Sequence, residues 1–153
     1  MRAKYRFFNE DEVIAAAQRM VCDRIKEYNI KLNSPDAAYD YLKLNLAHLE
    51  HEVFGSLFLD SQVYLIADEK MSRGTIDTTS VYPREVVKMA LRHNAASVIL
   101  YHNHPSNNEM PSSSDLVMTE RLVDALKLVQ IKVIDHIIIA GNRKYSFAQH
   151  GKV

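Results

Sequence analysis

The stretch that decides the fold reads Ala95-Ala96-Ser97-Val98-Ile99-Leu100-Tyr101, followed by His102-Asn103-His104-Pro105-Ser106. Residues 95–101 form an almost unbroken apolar run, which is typical of a strand buried inside a sheet. A polar loop follows, and then residues 113–129 place Met118 and Leu122 at helical spacing. A buried strand, a loop and an amphipathic helix in this order indicate an α/β protein.

Hydrophobic periodicity predicts the remaining elements on either side of this unit. Helices are predicted over residues 9–32, from Pro35 to about residue 49, and from Pro83 onward. Strands are predicted at residues 53–59, 63–67, 133–140 and 144–148. Residues 68–81 are predicted to be extended and loop-like. Because hairpins stand beside helical crossovers, we expect a mixed-sheet α/β sandwich with flanking helices.

Length and composition indicate one globular domain. The chain has 153 residues and a single cysteine, Cys22, which excludes an intramolecular disulfide framework and a cysteine-based zinc cage. We expect an N-terminal helix within residues 1–33, packed on a domain that spans residues 34–153. Its amphipathic pattern fits a helix packed on its own domain or on a second copy, so a homodimer is one expected arrangement. No apolar run reaches membrane-spanning length, and we expect a cytoplasmic protein with no membrane contact.

Charge gives little support for DNA as a partner. The chain contains 19 Lys and Arg residues against 19 Asp and Glu residues, so its formal net charge is zero. Non-specific DNA binding draws mainly on neutralisation of phosphates by basic residues. A strongly basic nucleic-acid-binding domain is therefore excluded, although a local basic face remains compatible with this composition.

Three side chains around the end of the central strand have the chemistry of a metal site. His102 and His104 share one face of the chain, with Cα atoms about 6.5–7 Å apart, and Pro105 ends the strand. Asp115 lies in the first turn of the following helix, on the row that continues through Met118. Two imidazoles and one carboxylate would leave the fourth tetrahedral position of Zn²⁺ for water, as in catalytic sites.

Each part of this cluster also has a simpler explanation. An isolated His-x-His pair is usually a surface feature or a hydrogen-bonded part of the core. Ser112 and Asp115 fit a capping box before an apolar helix. His136 lies in an apolar stretch and is interpreted as a packed residue rather than a ligand. These explanations do not account for the convergence of the strand end, the proline and the helix start.

The sequence resembles a known family at these positions. His102-Asn103-His104-Pro105-Ser106 and Pro111-Ser112-Ser113-Ser114-Asp115 resemble the JAMM metal motif of the MPN/JAB superfamily. The segments that narrow the resemblance to the bacterial RadC-like branch are Pro83-Arg84-Glu85-Val86, His93-Asn94-Ala95-Ala96 and Thr119-Glu120-Arg121-Leu122. The resemblance covers about residues 35–153 and implies an MPN/JAB-like fold with cytidine-deaminase-like layering.

The resemblance also implies roles for individual residues. His102, His104 and Asp115 match the zinc ligands, and Ser112 matches the serine expected to position water or stabilise an oxyanion. Glu52 matches the general base, which would pass a proton from the zinc-bound water to the leaving amine. An exposed carboxylate at a strand start is the simpler interpretation of Glu52.

The implied function is zinc-dependent hydrolysis of a peptide or isopeptide bond in an unknown peptide or protein substrate, as in a metalloprotease. The alternative is a non-catalytic, metal-stabilised module that acts in DNA repair or protein binding. Two departures from the family matter. Longer members carry a glycine-using helix-hairpin-helix region, whereas residues 1–54 contain no glycine, so we expect that module to be missing. Asn107 also replaces a common loop glycine, and asparagine tolerates left-handed backbone.

Overall fold

A computed structural model describes residues 9–27, 30–73 and 81–153 of the chain. These residues form four helices and five strands. The helices are α1 (Glu10–Glu27), α2 (Pro35–Leu46), α3 (Pro83–Arg92) and α4 (Ser113–Leu128). The strands are β1 (Val53–Leu59), β2 (Leu65–Arg73), β3 (Ser97–Asn103), β4 (Lys132–Ala140) and β5 (Arg143–Ser146). The predicted α/β class is confirmed.

The strands form a single mixed sheet within the described residues, in the order β2-β1-β3-β4-β5. β3 and β4 are parallel and are joined by α4, whereas the other neighbouring pairs are antiparallel. The mixed sheet predicted from hairpins beside crossovers is therefore confirmed. β3 lies at the centre, which explains why its seven residues are all buried.

Apolar side chains alternate between the two faces of the sheet and form two separate cores. On one face, Phe54, Phe58 and Leu100 pack with residues of α3 and α4, including Val86 and Leu122. On the opposite face, the buried partners of α2 are Leu57, Leu59, Ile99, Tyr101, Ile137 and Ile139. The helices thus flank both sides of the sheet, as expected for a sandwich.

The helix predicted over residues 9–32 is shorter than expected. α1 ends at Glu27, the part of the prediction that concerns residues 28–29 lies outside the described part of the chain, and residues 30–32 are extended. The backbone N–H of Leu65 donates to Ile30, and that of Leu32 donates to Val63. These bonds to the β1–β2 hairpin, together with burial of the Leu32 side chain, override the helical spacing.

Two further points concern α1. It contacts β2 and buries Ala16, whereas Val13 and Met20 on its predicted apolar face are about half exposed, at 47% and 52%. Among the helices of the described residues, none has the length and apolarity required to span a bilayer.

Strand β2 is longer than its sequence predicts. Residues 68–73 were expected to be loop-like, but they continue the pairing with β1 as far as Arg73, while residues 74–80 lie outside the described part. β2 is an edge strand, on which Lys70 is exposed, while the carboxylate of Asp68 accepts hydrogen bonds from the hydroxyls of Tyr41 and Tyr101. The backbone ladder with β1 therefore forms without an apolar pattern in the sequence.

Candidate metal centre

Three potential metal ligands converge at the carboxyl end of β3. His102 is the penultimate residue of β3, His104 follows the strand directly, and Asp115 lies in the first turn of α4. The Nε2 atoms of the two histidines are 2.9 Å apart, and they lie 3.4 and 3.6 Å from Asp115 Oδ1 and Oδ2, respectively. Among the described residues, these three alone form a cluster whose ligand atoms all lie within 4.8 Å of one another.

The geometry of the cluster fits a zinc ion. Tetrahedral Zn²⁺ with ligand distances near 2.0–2.2 Å has its ligand atoms about 3.3 Å apart. Two separations between single donor atoms lie near this value: 2.9 Å between the Nε2 atoms of the two histidines, and 3.4 Å between His102 Nε2 and Asp115 Oδ1. The ring N–H at Nδ1 of His104 donates to the carbonyl of Asn108 at 2.7 Å, which leaves Nε2 as the unprotonated atom that faces the cluster. The donor set of two imidazole nitrogens and one carboxylate oxygen therefore suits Zn²⁺ with one open position.

Asp115 is held in place by the start of its own helix. The backbone N–H and the hydroxyl of Ser112 both donate to Asp115 Oδ2 at 2.7 Å, and the backbone N–H of Asp115 donates to Ser112 Oγ. This is a complete capping box. The capping interpretation and the metal-ligand interpretation of Asp115 are thus compatible, because Oδ1 still faces His102.

Strand register places Glu52 beside the same cluster. Phe54 of β1 pairs with His102 of β3 in antiparallel register. Counting two residues outward along each strand sets Glu52 opposite His104 on the same face of the sheet. Glu52 is half-buried, while Glu50 is exposed and lies before the start of β1. A cavity of about 300 Å³ is lined by His104, by Asn103 and by residues 46–50, which include Glu50.

Electrostatics in the cluster favour an ionised Asp115 and a neutral His102, whereas they favour the protonated form of His104. Burial lowers the pKa of His102, and its contact with Asp115 only partly offsets that effect. The hydrogen bond to Asp115 raises the pKa of His104 and outweighs burial. Burial opposes ionisation of Asp115, but contacts with both histidines hold its pKa far below the usual carboxyl range. The negative charge of Glu52 also raises the pKa of each histidine. At neutral pH, Asp115 is therefore an anion and His102 a neutral imidazole, which are the states that a cation site requires of them.

Comparison with known proteins identifies the family of this chain. The family model described as "RadC-like JAB domain" matches residues 32–152. The chain belongs to the RadC-like JAB domain family. The resemblance to the RadC-like branch, inferred from the motif and the three segments around it, is thus confirmed.

Curated relatives of this RadC-like JAB domain include several UPF0758 proteins. UPF0758 protein YeeS of Escherichia coli (strain K12) is 49% identical over 142 residues, which cover 93% of this chain and 96% of YeeS. UPF0758 protein YfjY of the same strain is 52% identical over 127 residues, or 83% of this chain and 79% of YfjY. UPF0758 protein HEAR2468 of Herminiimonas arsenicoxydans is 48% identical over 141 residues, or 92% of this chain. The match spans only 62% of HEAR2468 and 60% of a similar Cupriavidus protein, so the chain covers about three-fifths of these relatives.

The loop after the second histidine has the conformation expected from its asparagine. Asn107 adopts a left-handed backbone with φ of 60°. Its side chain also occupies the space beside Gly141, where an added Cβ would lie 2.6 Å from Asn107 Oδ1. The RadC-like JAB domain thus keeps the turn with asparagine in place of the common glycine.

Two residues around the cluster were missed by sequence reasoning. Asn103 accepts a hydrogen bond from the backbone N–H of Val53 at 2.7 Å and donates to the carbonyl of His51 at 2.9 Å, so it clamps the chain on both sides of Glu52. His136 is fully buried, as expected of a packed residue, but its Nε2 lies 2.8 Å from Nδ1 of His102. The sequence signal for this contact was a histidine within the apolar strand that follows α4. Because β4 pairs with β3 in parallel, that histidine lies next to the strand that carries His102.

Proposed function

We propose that this chain is a zinc-dependent hydrolase that cleaves amide bonds, either peptide or isopeptide bonds. The observation that carries the proposal is the cluster of His102, His104 and Asp115 with Glu52 on its flank. Family membership is compatible with this activity, and the names of the relatives assign none. The nature of the metal, the substrate and the reaction are therefore parts of this proposal.

The residues of the cluster have different roles in the proposed hydrolysis of an amide bond. Bound Zn²⁺ supplies a Lewis acid that lowers the pKa of a water molecule and polarises the substrate carbonyl. Glu52 accepts a proton from the attacking water and delivers it to the leaving amine. The Ser112 hydroxyl donates its only proton to Asp115, so in the proposed reaction it positions water as an acceptor, and it would stabilise the developing oxyanion only by moving that proton away from Asp115. The cavity beside His104 provides room for part of a peptide.

Metal content and turnover together test the proposal. We expect about one zinc per chain by elemental analysis, and cleavage of members of a peptide and isopeptide library by the wild-type protein. Glu52→Gln should retain zinc but lose at least about 100-fold in turnover, since general-base catalysis contributes about 10²–10⁴-fold. Glu120→Gln is the matched control, because it makes the same chemical change on an exposed side chain of α4 and should retain turnover.

The same measurements can overturn the proposal. Stoichiometric zinc without turnover of any substrate would favour the alternative, a metal-stabilised module that binds DNA or protein. A gel-shift series in increasing salt distinguishes these partners, because binding driven by phosphate contacts weakens steeply as salt rises. Absence of zinc from the wild-type protein after loading would contradict the metal centre itself.

A further inference from the structure

His136 is held rigidly at the back of the metal centre. Its ring stacks on Phe147, with centroids 4.5 Å apart and an interplanar angle of 18°, and it meets the edge of Phe54 at 5.9 Å. Its two nitrogens face different partners: Nδ1 lies 2.6 Å from the hydroxyl of Thr119, and Nε2 lies 2.8 Å from Nδ1 of His102. The ring is completely buried, so these contacts determine which nitrogen carries its proton.

The proton positions in this hydrogen-bond network follow from counting its donors. The Thr119 hydroxyl donates its only proton to the backbone carbonyl of Asp115 at 2.6 Å. It must therefore accept from His136, whose Nδ1 carries the proton. The hydrogen-bonding partners of His136 carry no negative charge, so the buried ring is neutral and its Nε2 is an acceptor. His102 consequently carries its proton on Nδ1 and presents an unprotonated Nε2 to the cluster.

We infer that His136 and Thr119 set the tautomer of His102 and are positioning residues for the metal centre. This inference rests on the proposed zinc site and adds two residues to it. The path is a closed loop, because it runs from Asp115 through His102, His136 and Thr119 back to the carbonyl of Asp115. If His102 took the other tautomer, its proton would occupy the position of the metal.

Zinc affinity measures this contribution without any need for a substrate. In competition with a chromophoric chelator, His136→Phe, which keeps an aromatic ring but removes both nitrogens, should raise the zinc dissociation constant about 10–100-fold. Thr119→Val, which is nearly isosteric but lacks the hydroxyl, should raise it about 10-fold. Thr119→Ser restores the hydroxyl and should bind zinc within about threefold of the wild type.

Controls separate this effect from a general loss of stability. Val133→Ala removes buried methyl groups near the start of β4, three residues before His136, so it should lower stability and leave the zinc dissociation constant within about threefold of the wild type. Urea unfolding of each metal-free variant shows whether it is folded. If Thr119→Val and a folded His136→Phe bind zinc as tightly as the wild type, the inference is wrong while the proposed zinc site stands.

Long-range ¹H–¹⁵N spectra of the imidazole rings read the tautomer directly. In the metal-free wild-type protein, we expect protons on Nδ1 of both His102 and His136. Thr119→Val should redistribute the proton of His136, whereas Thr119→Ser should keep the wild-type pattern. A proton on Nε2 of His102 in the wild type would overturn the inference, and this readout is independent of whether zinc binds.

Discussion

Replacement of Asn103 by alanine should destabilise the protein and loosen the backbone around Glu52. The Asn103 side chain and the Val53 residue are each only 2% exposed, so water cannot replace the lost acceptor of the Val53 N–H. An unsatisfied buried donor costs about 1–3 kcal/mol, and loss of the second hydrogen bond, to the half-buried His51, adds about 1 kcal/mol. We therefore expect the free energy of unfolding to fall by about 2–4 kcal/mol.

Urea denaturation of the metal-free protein measures this loss, and amide hydrogen exchange localises it. The exchange of the Val53 amide should accelerate more than that of amides in the centre of β3, because its own hydrogen-bond acceptor is removed. Asn103→Asp keeps an acceptor but lacks the donor to His51, so its stability should lie between those of Asn103→Ala and the wild type. Asn142→Ala, in the exposed turn after β4, is the matched control and should change stability by less than about 0.5 kcal/mol. An Asn103→Ala variant within about 0.5 kcal/mol of the wild type, with unchanged Val53 exchange, would refute the reasoning.

Three other perturbations test the structure. Burial lowers the pKa values of His102 and His136, so the unfolded chain binds more protons than the folded chain below about pH 6.5. The free energy of unfolding of the metal-free protein should therefore fall as the pH is lowered below this value, by up to about 1.4 kcal/mol per pH unit for each residue. A free energy of unfolding that stays constant between pH 7 and 5.5 in urea titrations would contradict this prediction. Gly55→Ala should lower the free energy of unfolding by at least about 2 kcal/mol in the same assay, because the added Cβ would lie 2.3 Å from the Tyr101 ring. A variant as stable as the wild type would show that the strands are spaced differently. Asn107→Val should lower the free energy of unfolding by about 1–2 kcal/mol, because residue 107 has a left-handed backbone. Asn107→Gly should stay within about 1 kcal/mol of the wild type. Equal melting temperatures for the two variants would exclude the left-handed conformation.

Local sequence signals predicted most of the helices and strands around the site. The strand ending near His102, the helix of residues 113–128 and the mixed sheet were all evident from apolar runs, caps and turns. The capping box at Ser112 and the left-handed Asn107 were equally accessible, because each depends on residues close together in the chain. These features are local, and local backbone preferences are what a sequence pattern records.

Hydrogen-bond pairing between segments far apart in the chain could not be predicted from these local signals. Residues 30–32 leave the helical pattern to hydrogen-bond with the β1–β2 hairpin, and β2 continues through polar residues because β1 supplies its backbone partners. Such pairing depends on contacts from elsewhere in the chain, which outweigh intrinsic propensity.

The candidate site divides in the same way. The amino-acid sequence alone determined the donor types and their order, because His102 and His104 share one short strand end and Asp115 begins the next helix. Only the tertiary structure decided what surrounds them. The antiparallel pairing of β1 with β3 sets Glu52 beside His104, and the parallel pairing of β4 with β3 brings His136 against His102 from 34 residues away. The identity of a ligand is fixed by its own side chain, but its neighbours and its proton are fixed by strand register, which no short sequence motif records.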